Sequence, residues 1–214
     1  LLPVFLLFVC LFYPRYLNLS IRRQRHLCIR DSNSGEPTEI VVLPKIKKMT
    51  QVAFQGQAIN LTGQFPQVGT QAPEFTLCGA ELNEVTLETL KGKKTVLNIF
   101  PSVDTPVCAA SVREFNKKVT EVNDAAVVCI SADLPFAMAR FCGAEGIENV
   151  QSASFFRSPE FAETYGVKVA EGPLAGLAAR AVVVLDEEGR VIHSELVSEI
   201  TDVPNYDAAM EAIR

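Results

Sequence analysis

Two short runs, Thr95-Val-Leu-Asn-Ile-Phe100 and Ala126-Val-Val-Cys-Ile-Ser131, are apolar at almost every position instead of at alternate ones. A half-exposed strand alternates, whereas a strand covered on both faces does not. Between the runs, Val112, Phe115, Val119 and Val122 recur at spacings of three and four, which predicts a helix with one apolar face. Strand, helix and strand in that order form a crossover unit, because parallel strands cannot be joined by a tight turn. A third run, Ala181–Asp186, is reversed at Glu187–Glu188–Gly189 into Val191–Val197, which predicts a hairpin. An earlier hairpin is expected where Val52–Leu61 alternates around Gly56. Phe136–Gly143, Ser158–Tyr165 and Tyr206–Arg214 read as further short helices, the second stopped by Gly166. The sum is an α/β fold, a mixed central sheet flanked by helices with an N-terminal β-hairpin, and a thioredoxin-like order of elements fits it.

Charge divides the chain. Residues 1–48 carry a net +5 and residues 49–214 a net −10. A body that acidic repels phosphate, so nucleic acid is not an expected partner. Leu1–Tyr13 is apolar but contains Pro3 and is too short to span a bilayer, and its basic cluster follows the apolar run where a signal peptide has it in front. Met49 precedes the first regular pattern. Residues 1–48 are therefore read as a poorly ordered or non-native extension, with a targeting or anchoring segment as the alternative, and residues 49–214 as the folded domain. No membrane association is expected of that domain.

The segment Pro101-Ser-Val-Asp-Thr-Pro-Val-Cys108 leads the first buried strand into its helix. Asp104 or Thr105 can cap that helix, with Pro106 at its first position. Capped by Thr105, the helix has Cys108 as its third residue, where unpaired backbone N–H groups and the positive end of the dipole favour a thiolate. The Thr105 hydroxyl can add a donor, and Arg113, Arg140 and Arg180 are candidates for a fixed guanidinium. The other cysteines are less suited. Cys129 lies within a buried strand and reads as packing, Cys78 sits beside Gly79 in a loop or strand end, and Cys10 and Cys28 belong to the extension. Cys142, on the short helix ending at Gly143, is ambiguous alone and gains meaning only as a partner for Cys108. No Cys-x-x-Cys, phosphate-binding glycine motif or metal-ligand spacing occurs. The only histidines are His26, in the extension, and His193, expected to be exposed or paired, so a Cys/His hydrolase lacks a base. The loop 172–180 can carry Arg180 to the third strand. These residues alone do not say what the thiolate attacks.

Phe100–Arg113 resembles the reactive loop of peroxiredoxins, whose pattern is Pro-x-x-x-Thr/Ser-x-x-Cys. More narrowly, residues 129–137 (Cys-Ile-Ser-Ala-Asp-Leu-Pro-Phe-Ala), 140–146 (Arg-Phe-Cys-Gly-Ala-Glu-Gly) and 172–184 are similar to the bacterial thiol peroxidases, the atypical 2-Cys peroxiredoxins. The likeness runs from about Met49 to Arg214. It implies a thioredoxin-like fold and reduction of hydrogen peroxide and organic hydroperoxides without a cofactor or metal. It implies Cys108 as the peroxidatic cysteine and Cys142 as the resolving one, joined in an intramolecular disulfide. Thr105 and Arg180 would hold the thiolate and polarise the peroxide, Pro101 would shield the sulfenic acid, and Cys129 would be a third, non-catalytic cysteine. It also implies thioredoxin as reductant and a homodimer. A cytoplasmic setting is preferred to a periplasmic one because the cycle needs a reductant. Closing the disulfide is expected to require unwinding of both helical segments. The alternative is a redox sensor in which the same disulfide switches affinity for a partner.

Overall fold

The computed structural model describes residues 50–122 and 124–214, so the expectations for residues 1–48, Cys10, Cys28 and His26 among them, lie outside the described residues. In chain order the strands are β1 Thr50–Phe54, β2 Gln57–Thr62, β3 Thr76–Gly79, β4 Glu84–Thr86, β5 Lys94–Ile99, β6 Ala125–Ser131, β7 Gln151–Ser154, β8 Lys168–Val169, β9 Ala181–Leu185 and β10 Val191–Leu196. The α-helices are α1 Leu87–Leu90, α2 Pro106–Lys118, α3 Pro135–Glu145, α4 Glu160–Thr164 and α5 Tyr206–Ala212.

A seven-stranded sheet has the order β10-β9-β5-β6-β7-β3-β4, and β1, β2 and β8 form a smaller one. The strands β5, β6 and β7 run parallel, with Val96 opposite Val127 and Ile99 opposite Ile130. The strand β9 is antiparallel to β5, and β3 is antiparallel to β7. The sheet is therefore mixed, as expected.

Two-residue alternation sends the central strands' side chains to two dry faces. Leu97, Ile99, Val128, Ile130, Val183 and Leu185 pack with Phe75, Phe161, Tyr165 and Val167 on one side. Val96, Phe100, Val127, Cys129, Val182 and Val184 pack on the other against Val112 and Phe115 of α2, Met138 of α3 and Met210 of α5. Each fully buried aliphatic side chain of this kind contributes about 1.5–3 kcal/mol. Helices α2 and α5 are tied at the surface by Lys118, whose Nζ donates to Asp207 at 2.8 Å.

Several elements differ from expectation. Helix α2 gives way at Val119 to a turn of 3₁₀ helix, Val119–Glu121, which keeps Val119 buried. Helix α3 runs past Gly143 and ends at Gly146, where φ is 64°. A helix stops where a residue takes the left-handed conformation, and Gly146 takes it while Gly143 remains helical. The N–H groups of Gly146 and Ile147 then both donate to the Cys142 carbonyl. Of the two places expected for Cys78, it takes the strand end, buried near the close of β3. Gly166, after α4, has φ of 64°, and a Cβ there would fall 2.3 Å from the Phe65 amide nitrogen, so only glycine fits this crossing of two backbones. Among the described residues, no helix is long and apolar enough to cross a membrane.

The β1–β2 hairpin turns at Gln55 and Gly56, both with positive φ, which is the geometry of a two-residue hairpin loop. The Glu199 carboxylate accepts the N–H groups of Gln55 and Gly56 at 3.1 and 3.0 Å. Ala53 exchanges backbone hydrogen bonds with Ser198 and Ile200. The Gly56 N–H, followed by Thr201 and Gln55, holds the Glu199 carboxyl below the usual carboxylate range, although partial desolvation opposes it. A carboxyl whose folded-state value is depressed stabilises the fold above its ordinary value and loses that contribution as pH falls through the folded one. Glu199→Gln is therefore expected to lower the melting temperature at neutral pH, with the gap to wild type closing as pH falls below the ordinary carboxylate range. A gap that stays constant over that range in a thermal-melt series would contradict this role.

Candidate active site

Strand β5 ends at Ile99, and the chain passes through the buried Phe100 and Pro101 into a tight turn before α2. Thr105 is the N-cap residue and Pro106 the first helical residue, as the sequence suggests. The hydroxyl of Thr105, however, makes no capping bond to the helix. It donates to the Ser102 carbonyl at 3.1 Å, and the Thr105 N–H donates to the same oxygen at 3.2 Å. Its proton is thus committed to the turn and not to the sulfur. The oxygen keeps its capacity to accept.

Cys108, third in the helix, is completely buried in the apolar cluster with Phe100, Val103, Val112 and Met138. Arg180 meets it there. The loop before β9 is fixed by backbone bonds from Gly176 to Val169 and from Ala179 to Val167. Arg180 then shares the parity of Val182 and Val184, so alternation points it to the face that holds Cys108. Its side chain is 1 % exposed. Nη2 donates to Cys108 Sγ at 3.3 Å and Nε to the Ile200 carbonyl at 3.0 Å, while the buried Nη1 has no partner among the described residues. Ile200 is itself bonded to Ala53, so the N-terminal hairpin backs the arginine.

The other candidate guanidiniums lie at the surface. Arg113 forms a two-pronged pair with Glu145 and stacks over Phe141, and Arg140 faces Asp104 at 3.8 Å. Cys142, on α3, is half-buried and packs against the cluster that holds Cys108 and Cys129. Burial pushes its thiol up, with a bond to its own backbone pulling down. Burial pushes the Cys129 thiol up to about 12, against a contact from Asn98 Nδ2 at 3.6 Å. Cys78, Cys108, Cys129 and Cys142 are all free thiols.

Three polar groups went unnoticed in the sequence. Asn98, within an apolar strand, accepts from Ser111 of α2 at 3.1 Å, and both are buried beneath the helix. Asp133 binds the Ser102–Val103 turn. A polar residue inside a dry strand is the signal that could have found Asn98. Tyr206 stands on Phe115; burial raises its phenol, while the Ser111 hydroxyl and the Arg180 charge pull the other way. His193, expected to be exposed or paired, sits on the edge strand β10, beside a shift in its register, with Nε2 buried and without a partner among the described residues. Among the described residues, no cluster of His, Cys, Asp or Glu has the makings of a metal site. A groove of about 460 Å³ lies elsewhere, between Glu74, Thr86 and Glu160, and contains neither cysteine nor cation. The buried guanidinium with a donor to spare lies instead in the dry cluster at Cys108.

Residues 67–210 match the Redoxin family. A thiol peroxidase of Vibrio cholerae serotype O1 is 52% identical over 162 residues, covering 76% of this chain and 99% of its relative. A thiol peroxidase of Mycobacterium bovis is 53% identical over 165 residues, or 77% and 99% of the two chains. The crystal structure of a peroxiredoxin-like protein from Aquifex aeolicus superposes with a TM-score of 0.73 at 39% identity, over 77% of this chain and 96% of that one. The matched span contains the Cys108 turn, the α3 helix and the Arg180 loop together, and the chain belongs to the redoxin family, among the thiol peroxidases.

Proposed function

We propose that the protein reduces hydroperoxides by thiol chemistry at Cys108. The observation that carries this reading is the bond from Arg180 Nη2 to Cys108 Sγ, 3.3 Å long and fully buried, beside an Nη1 with no partner. A guanidinium removed from water needs negative or polar partners for its N–H groups. A sulfur anion supplies one, and a substrate oxygen can supply another.

In this reading the Cys108 thiolate attacks one oxygen of ROOH. The S–O bond forms as the O–O bond breaks, the leaving alkoxide takes a proton and departs as ROH, and Cys108 becomes a sulfenic acid. Charge grows on the leaving oxygen during that step, and the preorganised donors Nη1 and the α2 amides can stabilise it without solvent reorganisation. Pro101, buried at the base of the turn, limits water around the sulfur. Thr105 acts through its oxygen, as an acceptor for a hydroperoxide proton. The Cys142 thiolate then attacks the sulfenyl sulfur, the S–S bond forms as the S–O bond breaks, and the departing hydroxide takes a proton and leaves as water. An external dithiol restores both thiols by exchange. That the dithiol is a thioredoxin, and that the protein works as a homodimer, are carried by family likeness alone.

Cys108→Ser is expected to abolish peroxide consumption. Cys142→Ser is expected to keep the first burst, one peroxide per chain, and to lose thioredoxin-supported turnover. Full turnover by Cys108→Ser in a coupled assay would end the proposal. Arg180→Lys keeps a charge but loses the fork, and the rate of the first step is expected to fall by about 10²-fold, the usual loss when a preorganised donor is removed. Single-turnover mixing with hydrogen peroxide measures it, and a rate within about twofold of wild type would remove Arg180 from the mechanism.

A further inference from the structure

One carboxylate ties the turn that presents Cys108 to the segment that opens the Cys142 helix. Asp133 lies between β6 and α3. Its Oδ1 accepts the Ser102 hydroxyl at 2.7 Å, and its Oδ2 accepts the Val103 N–H at 2.7 Å and the Ser131 hydroxyl at 2.8 Å. Ser102 in turn holds Thr105, the cap of α2, through its carbonyl. The position of the helix start, and so of Cys108, is referred to Asp133. Hydrogen bonds to a carboxylate are shorter and stronger than neutral ones, and this group is half-buried. Phe100 and Val103 also share an apolar cluster with Met138 of α3, whereas the ion pairs nearby, Arg140 with Asp104 and Arg113 with Glu145, are solvent-exposed and contribute little.

The two cysteines concerned are free thiols, although both pack against one apolar cluster. A disulfide demands close and specific geometry, with the Cβ atoms about 3.5–4.5 Å apart. In the reading above, closure moves one or both helical segments, and separating residues 102–105 from 131–133 breaks the bonds to Asp133. We propose that Asp133 is a positioning residue that favours attack on peroxide and opposes disulfide closure, and so sets how oxidised Cys108 divides between two fates. This rests on the roles given above to Cys108 and Cys142. In the first fate, Cys108–SOH and Cys142–SH condense to the disulfide and water. In the second, Cys108–SOH reacts with another hydroperoxide, which is reduced to its alcohol (or to water, for hydrogen peroxide) as the sulfur becomes a sulfinic acid. A tighter latch lengthens the life of the sulfenic acid and feeds the second fate.

The test compares full-length wild type, Asp133→Asn and Ser102→Ala by rapid mixing with hydrogen peroxide, followed by mass analysis of Cys108. Asp133→Asn is expected to speed disulfide closure about tenfold, the scale of one lost charge-assisted hydrogen bond, and to slow the first step by a similar factor. The sulfinic fraction at high peroxide falls accordingly. Ser102→Ala, which removes one of the two bonds across the segments, is expected to shift closure in the same direction by less, and it decides the matter alone if Asp133→Asn does not fold. A closure rate unchanged or slower than wild type overturns the proposal. A wild-type protein that forms no Cys108–Cys142 disulfide overturns the underlying reading as well, which separates the two failures.

Discussion

A guanidinium sealed from water needs partners for its donors inside the protein, and Arg180 finds them for Nε in the Ile200 carbonyl and for Nη2 in the Cys108 sulfur, while Nη1 has none among the described residues. Burying a charge without compensation is costly, so this position is tolerable only while its partners are held in place. Much of the surrounding fold serves that condition. Period-two alternation along β9 aims Arg180 at the α2 face. The hairpin of β1 and β2, latched by Glu199, fixes the chain on either side of Ile200. The strand β5 feeds the turn that starts α2, and the apolar cluster around Phe100, Val112 and Met138 keeps the space dry. A low local dielectric makes every one of these contacts count for more than it would in water.

The cysteines differ because their surroundings differ. Cys129 has the same side-chain chemistry as Cys108 but lies mid-strand, where burial pushes its thiol up to about 12 against the contact from the Asn98 amide. Cys108 lies at the start of a helix against a cation. Cys142 lies half-open on α3, which packs Met138 into the cluster shared with α2 and is tied further by the exposed Arg113–Glu145 pair and, at its entrance, by the bonds of Asp133 to the Ser102–Val103 turn. One thiol thus lies in a dry, closed cradle and the other half-open on a neighbouring helix.

Much of the fold was legible because its strongest signals are local. The strands β5, β6 and β9 declare themselves by runs of apolar residues, α2 by its three-and-four spacing, and the cap of α2 by Thr105 followed by Pro106. The short strands β3, β4, β7 and β8 did not, since two to four residues are too few to show a period and their pairing is set by tertiary contacts. Gly143 was a plausible helix stop, but which glycine turns left-handed depends on where the chain must go next, and Gly146 does so. The site divides the same way. Cys108 is marked by its own neighbours in sequence, whereas choosing Arg180 over Arg113 and Arg140 needs burial, which local sequence does not state. Thr105 is marked by its place before Pro106 and by the family pattern, but neither tells that its hydroxyl proton goes to the Ser102 carbonyl. Asp133 escaped notice because a lone acidic residue near a helix start reads as ordinary surface until the Ser102 and Val103 groups are seen bonded to it.

The most direct measurement is a titration of the reduced protein with one equivalent of hydrogen peroxide, followed by proteolysis and mass mapping of the sulfurs. If Cys108 is the sulfur that Arg180 prepares and Cys142 the one that closes on it, two thiols per chain disappear and the linked peptides are those carrying residues 108 and 142. A bridge through Cys78 or Cys129, or peroxide left unconsumed while Cys108 remains a thiol, would contradict it.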